Sequence, residues 1–121
     1  MEVSIIGSGT MAAGISQVLS LSQEIERVNV VARSLDKSVA CKDICTKNIS
    51  KLTRRNKVDV GLASSAVEKI ACHDSLSIVS ESDLIIEVVA ENLVSKMEVF
   101  HSLAPFVKEG AIVASNTSSL S

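Results

Sequence analysis

Gly7, Gly9 and Ala12 follow a short apolar run at the spacing Gly-x-Gly-x-x-Ala. The chemistry open to such a pattern is anion binding. The first N–H groups of a helix have no intrahelical partner and the macrodipole places partial positive charge there, so a strand, a glycine turn and a helix start together stabilise a pyrophosphate. In the dinucleotide fingerprint the first glycine makes the tight turn, the second lets phosphate approach the backbone, and a small third residue lets helix and strand pack closely. Ala12 is the permitted small variant. With Thr10 and Met11, which open the helix, these residues form the expected cofactor-binding turn. Glycine turns are common, and the weight of this one comes from its place at the end of a first strand.

A second group lies after the second apolar run. A site for the 2′-hydroxyl of NAD has an acidic residue at the end of the second strand, roughly 20 residues beyond the glycines. Here the strand ends in Ala32, 25 residues after Gly7, and Arg33, Ser34 and Lys37 follow. With no carboxylate to repel it, a 2′-phosphate has a guanidinium, a hydroxyl and an ammonium within reach. The expected cofactor is NAD or NADP, with NADP favoured; the alternative is that Arg33 and Lys37 are solvated charges at a helix start.

The elements that must position these groups follow from the periodicity. Glu2–Ile6 reads as a strand, Met11–Leu21 as a helix with one apolar side, and Val28–Ala32 as a second, β-branched strand. Ser34 or Asp36 caps a long helix through Val39, Ile44, Ile49 and Leu52. A basic turn at 53–57 precedes a returning helix over Val60–Ile70, so a helical hairpin interrupts the sheet. Ile70–His73 is a short third strand and Leu76–Ser80 a brief helix. The nearly continuous apolar run at Asp83–Val89 is a fourth strand buried on both faces. Asn92–Val107 reads as an amphipathic helix packing Leu93, Met97, Phe100, Leu103, Ala104 and Phe106, and Ala111–Ala114 as a fifth strand. The polar run Ser115–Ser119 then falls at that strand's carboxyl end, where open α/β sheets bind ligands. The fold class is α/β, a Rossmann doubly wound parallel sheet with a helical hairpin after the second strand. Right-handed crossovers give the order 3-2-1-4-5.

Composition bounds the function. With 121 residues, 46% of them hydrophobic, the chain is one domain with a real core. A formal net charge of −2, with basic and acidic residues interspersed, provides no electrostatic footprint for nucleic acid. No apolar run approaches a membrane span and no leader pattern opens the sequence, so a cytoplasmic location is expected. Cys41, Cys45 and Cys72 are an odd set for a disulfide framework, and together with His73 they match no zinc spacing.

From the fourth strand onward, Ile86-Glu87-Val88-Val89-Ala90-Glu91-Asn92-Leu93, Lys96, Glu98-Val99-Phe100 and Ala114-Ser115-Asn116-Thr117-Ser118-Ser119-Leu120-Ser121 resemble the 3-hydroxyacyl-CoA dehydrogenase family. So do Gly7-Ser8-Gly9-Thr10-Met11, Gly14-Ile15 and the hairpin at 36–70. The resemblance runs along the whole chain in one register. It implies oxidation of the 3-hydroxyl of an acyl-CoA with hydride passing to a nicotinamide cofactor, in fatty acid metabolism, with the hairpin on the CoA side of the cleft. It places Glu91 and Lys96 near the ribose and nicotinamide half of the cofactor, Asn116 beside the nicotinamide, and Ser118 on the catalytic serine that hydrogen-bonds the reacting oxygen. A hydroxyl at a strand's carboxyl edge can stabilise charge developing on that oxygen.

Structural readings stand beside these: Glu87 as a paired carboxylate in its strand, Glu91 as a helix N-terminal charge, Lys96 as a solvated residue on the outer face. The family's histidine base, its glutamate partner and its helical second domain have no counterpart among the 121 residues. His73 and His101 match no catalytic position and read as structural. The whole of 1–121 is therefore expected to be a dinucleotide-binding domain that binds nucleotide, turns over poorly by itself, and self-associates through apolar surface left open. A non-catalytic nucleotide-binding module and another β-hydroxyacid-type NADP dehydrogenase are the competing readings.

Overall fold

The computed structural model describes residues 1–88 and 92–115. Five parallel strands form the sheet: β1 (Glu2–Ile6), β2 (Arg27–Val31), β3 (Ile70–His73), β4 (Leu84–Glu87) and β5 (Ile112–Ser115). Their order is β3-β2-β1-β4-β5, as the crossover rule predicts. β1 is central, with Val3 opposite Val28 on one side and Leu84 on the other. All described pairings are parallel, so each connection must cross a face of the sheet, and both faces are covered.

Alternation along the strands divides the core into two. Val3, Ile5, Val28, Val30 and Ile70 meet α1 (Thr10–Ser20) and α2 (Leu35–Arg54) through Ala12, Ala13, Cys41 and Cys45. On the other face Ile6, Val31 and Ile85 pack with Val79, from the 3₁₀ turn Leu76–Glu81, and with Leu103 of α4 (Leu93–Leu103). That second face is polar at its amino end. Buried Ser4 shares a 2.6 Å hydrogen bond with Ser82, and Asn29 donates to Ser4 and Glu2 while its Oδ1 meets His73 Nε2 at 3.1 Å.

The hairpin after β2 is built from good local signals. Ser34, rather than Asp36, caps α2, accepting from the Lys37 N–H at 3.2 Å, and Asp36 lies in the first turn where the macrodipole favours it. Asn56, at φ 55°, takes the left-handed conformation in the turn, and Asp59 caps α3 (Val60–Lys69) by accepting from Gly61 and Leu62. Ile49, Ala63 and Ala66 form a satellite core between the two helices.

The packed face of α4 differs from the one its apolar pattern predicts. Leu93 and Met97 are 54% and 61% exposed and Ala104 and Phe106 are also exposed; Phe100 and Leu103 face inward as expected, joined by Lys96 and Val99. This rotation brings Lys96 Nζ to 2.9 Å from the carboxylate of buried Glu87. It also ends earlier than expected, at Leu103, with Ala104–Phe106 as a 3₁₀ turn around Pro105.

Candidate functional site

Gly7 sits at the carboxyl end of β1 with φ 140°, a conformation an L side chain rarely adopts, and its N–H donates to the Val31 carbonyl at 2.8 Å. That bond ties the turn to the end of β2. Gly9 is the N-cap of α1, with φ −78°, and a Cβ built there would meet no atom within 4 Å. Space is therefore open in front of the helix where a phosphate would approach. Ala12 is fully buried in the core between α1 and the sheet, the close packing its position requires. Thr10 and Met11 are exposed.

No side chain caps α1 and no acidic residue stands in its first turn. The other three α-helices are each capped by a side chain, Ser34, Asp59 or Asn92. An uncapped first turn behind a glycine turn leaves N–H donors and the positive end of a dipole aimed at the sheet edge. These residues fit the pyrophosphate of a dinucleotide.

Beside this turn, at the carboxyl ends of β1 and β2, a cleft of about 310 Å³ is floored by Ile6, Val31, Ala32 and Leu76 and rimmed by Arg33, Asp74 and Glu98. An apolar slot with a polar rim suits a flat heterocycle with its sugar at the mouth. Arg33 and Lys37 are exposed, and Ser34 is half-buried with its oxygen already accepting the Lys37 N–H, so its hydroxyl proton is the part left for a ligand.

Lys96 is buried beside the carboxyl ends of β4 and β5. It is 2% exposed, so the solvated outer-face reading is overturned. Its Nζ donates to Glu87 Oε1 at 2.9 Å and to Ser115 Oγ at 3.3 Å, and Ser115 Oγ donates to the same Glu87 oxygen at 2.6 Å. The reading of Glu87 as a paired carboxylate agrees with this geometry. Ser115 carried no role in the sequence; its pairing with Glu87 across β4 and β5 is a matter of register. Glu91, Asn116 and Ser118 lie outside the described residues.

The remaining reactive side chains are engaged elsewhere. Cys41 and Cys45 are fully buried against α1, where Cys45 Sγ donates to the Ala13 carbonyl at 3.3 Å. Hydrogen bonding with Cys41, reinforced by burial, pushes the Cys45 thiol far above the usual thiol range, so it stays protonated. Burial, aided by Arg27, lowers the His73 pKa from its ordinary value. His101 is exposed on α4.

A parallel sheet in the order 3-2-1-4-5, with a glycine turn and an open helix start at the carboxyl end of its central strand, defines a dinucleotide-binding α/β protein. The family model for the 3-hydroxyacyl-CoA dehydrogenase NAD binding domain matches residues 2–121, and the chain belongs to this family. It is 33% identical over 122 residues to a 3-hydroxybutyryl-CoA dehydrogenase of Clostridioides difficile, a match covering 100% of this chain and 42% of that protein. With mouse mitochondrial hydroxyacyl-coenzyme A dehydrogenase it shares 34% identity over 125 residues, covering 98% of this chain and 39% of the relative. Among solved structures, (S)-3-hydroxybutyryl-CoA dehydrogenase of Ralstonia eutropha superposes with a TM-score of 0.89 at 27% identity, covering 97% of this chain and 41% of that one. The chain thus spans about two fifths of the length of these three relatives.

Proposed function

We propose that this chain holds a nicotinamide dinucleotide for oxidoreduction at the C3 hydroxyl or ketone of an acyl-CoA, within fatty acid metabolism. The observation that carries the reading is the open start of α1 behind Gly7 and Gly9, with unfilled space where a Cβ of residue 9 would stand. The dinucleotide supplies the hydride donor or acceptor when bound. The chain's own residues bind and orient: Gly7, Gly9, Thr10, Met11 and Ala12 at the pyrophosphate, the Ile6–Val31–Leu76 cleft at the adenosine. Glu91, Lys96 and Asn116 are assigned to the ribose and nicotinamide half, and Ser118 to the hydrogen bond on the reacting oxygen.

NADP(H) is the cofactor we favour. Ala32 stands where an NAD site has its acidic residue, and Arg33 is exposed on the rim of the adenosine cleft next to the α2 start that carries Ser34 and Lys37. Asp74 and Glu98 on the same rim oppose a 2′-phosphate, and the proposal holds that Arg33 outweighs them because its planar fork can meet the phosphate directly. Titration followed by nucleotide fluorescence tests both levels. NADPH binding about tenfold tighter than NADH, a difference of ~1.4 kcal/mol, is expected. Tighter NADH binding removes the NADP preference alone, whereas no binding of either removes the nucleotide reading.

Slow reduction of acetoacetyl-CoA is expected of the chain by itself, since neither His73 nor His101 falls on the base position of the resemblance. Ser118→Ala should reduce that rate and leave nucleotide affinity within about twofold; unchanged turnover would favour a binding module in place of an enzyme. A cytoplasmic location is the reading consistent with three free cysteines, and cell fractionation tests it.

A further inference from the structure

The Glu87–Lys96–Ser115 cluster joins three elements at one carboxylate oxygen. Glu87 ends β4, Ser115 ends β5, and Lys96 stands in the first turns of α4, its N–H bonded to the carbonyl of the Asn92 cap at 3.1 Å. Glu87 is 0% exposed, so it takes part in the site through its neighbours. Placing an ammonium and a carboxylate out of water is costly, and well-packed apolar side chains of similar volume would commonly serve stability as well or better. The adjoining register position on β1 is indeed apolar, Ile6 beside Glu87. A charged pair is then understandable as a device of orientation: it fixes one rotation of α4 about its axis, at the expense of exposing Leu93 and Met97.

We propose that Glu87 and Ser115 are positioning residues. Acting through Lys96, they clasp the carboxyl ends of β4 and β5 to the start of α4 and so set the half of the cleft that receives the nicotinamide mononucleotide. This rests on the dinucleotide reading. A doubly wound sheet divides a dinucleotide between two halves that meet at the switch point beside the first strand. The adenosine half here takes Gly7, Gly9, the start of α1, Ile6, Val31 and Arg33 from outside the clasp, and only its far wall, with Glu98 and Val99, from α4. The clasp's three polar groups meet at the carboxyl ends of β4 and β5. Its loss should therefore weaken a whole dinucleotide much more than a ligand that occupies the adenosine half alone.

The test compares reduced dinucleotide with ADP on the intact chain, by fluorescence titration and by competition, with circular-dichroism melts as the control for folding. Glu87→Gln keeps the shape and removes the charge; Ser115→Ala removes one hydroxyl and keeps the ion pair; Ser115→Thr restores a hydroxyl. Glu87→Gln is expected to weaken dinucleotide binding at least about tenfold while ADP affinity stays within about twofold, and Ser115→Ala to do the same at about threefold, with recovery in Ser115→Thr. If Glu87→Gln fails to fold, the Ser115 pair carries the same contrast, because a partly exposed hydroxyl is a milder loss. Equal weakening of both ligands, or unchanged dinucleotide affinity in folded variants, overturns the clasp. Binding of neither ligand by the parent chain overturns the nucleotide reading, and the clasp with it.

Discussion

Gly7 and Gly9 look alike in the sequence and have different physical reasons to be glycine. Gly7 is required by its own backbone, since φ of 140° strains any L side chain. Gly7→Ala should cost about 1–3 kcal/mol of stability, read as a lower urea midpoint. Gly9 has an ordinary φ and open space around it, so Gly9→Ala should change stability by less than about 1 kcal/mol and weaken dinucleotide binding more than tenfold, its methyl standing where phosphate approaches. His73 makes a pH prediction. Its neutral form is favoured in the folded protein by desolvation and by Arg27, against the opposing pull of Glu2 and Asp74. That stabilisation is complete above the ordinary histidine pKa of ~6.5 and is lost as pH falls through the lowered folded value. Urea midpoints should be lower at about pH 5 than at about pH 7.5, and the difference should shrink in His73→Gln.

At the scale of elements, the strands and helices were legible because their local signals are clean: runs rich in β-branched residues at Val28–Val31 and Leu84–Ile86, a cap at Ser34, a cap at Asp59. Asp59→Ala should lower stability by about 1 kcal/mol, read from thermal or urea melts, because the first-turn N–H groups of α3 lose their acceptor. What could not be read was the rotation of α4. A hydrophobic pattern chooses a face by summing apolar side chains, and it has no means of knowing that a carboxylate nine residues earlier waits at the end of β4. The same blindness hid Ser115, whose importance comes from lying opposite Glu87 in a register that only the assembled sheet defines. The glycine turn, by contrast, is local in sequence and in space, and both readings of it coincide.

At the scale of the whole molecule, large apolar side chains stand exposed among the described residues. Val94, Met97 and Leu93 on α4 and Ile112 and Val113 on β5, an edge strand of the sheet among the described residues, are all exposed. Such surface favours association. We expect sedimentation to show mass rising with concentration, and Met97→Lys with Ile112→Lys to shift the chain toward monomer; a strict monomer across a wide range would count against self-association. The central place of β1 has a consequence for how the fold is reached in time. β1 needs two partners, and the second is made well after the first: Leu84, opposite Val3, lies 81 positions further along the chain. Until then Val3 and Ile5 have an unpaired edge, so the nascent chain must keep an apolar strand in waiting. Loop closure over that span makes completion of the sheet a late event, and a helper that shields β1 during synthesis should raise the yield of folded protein.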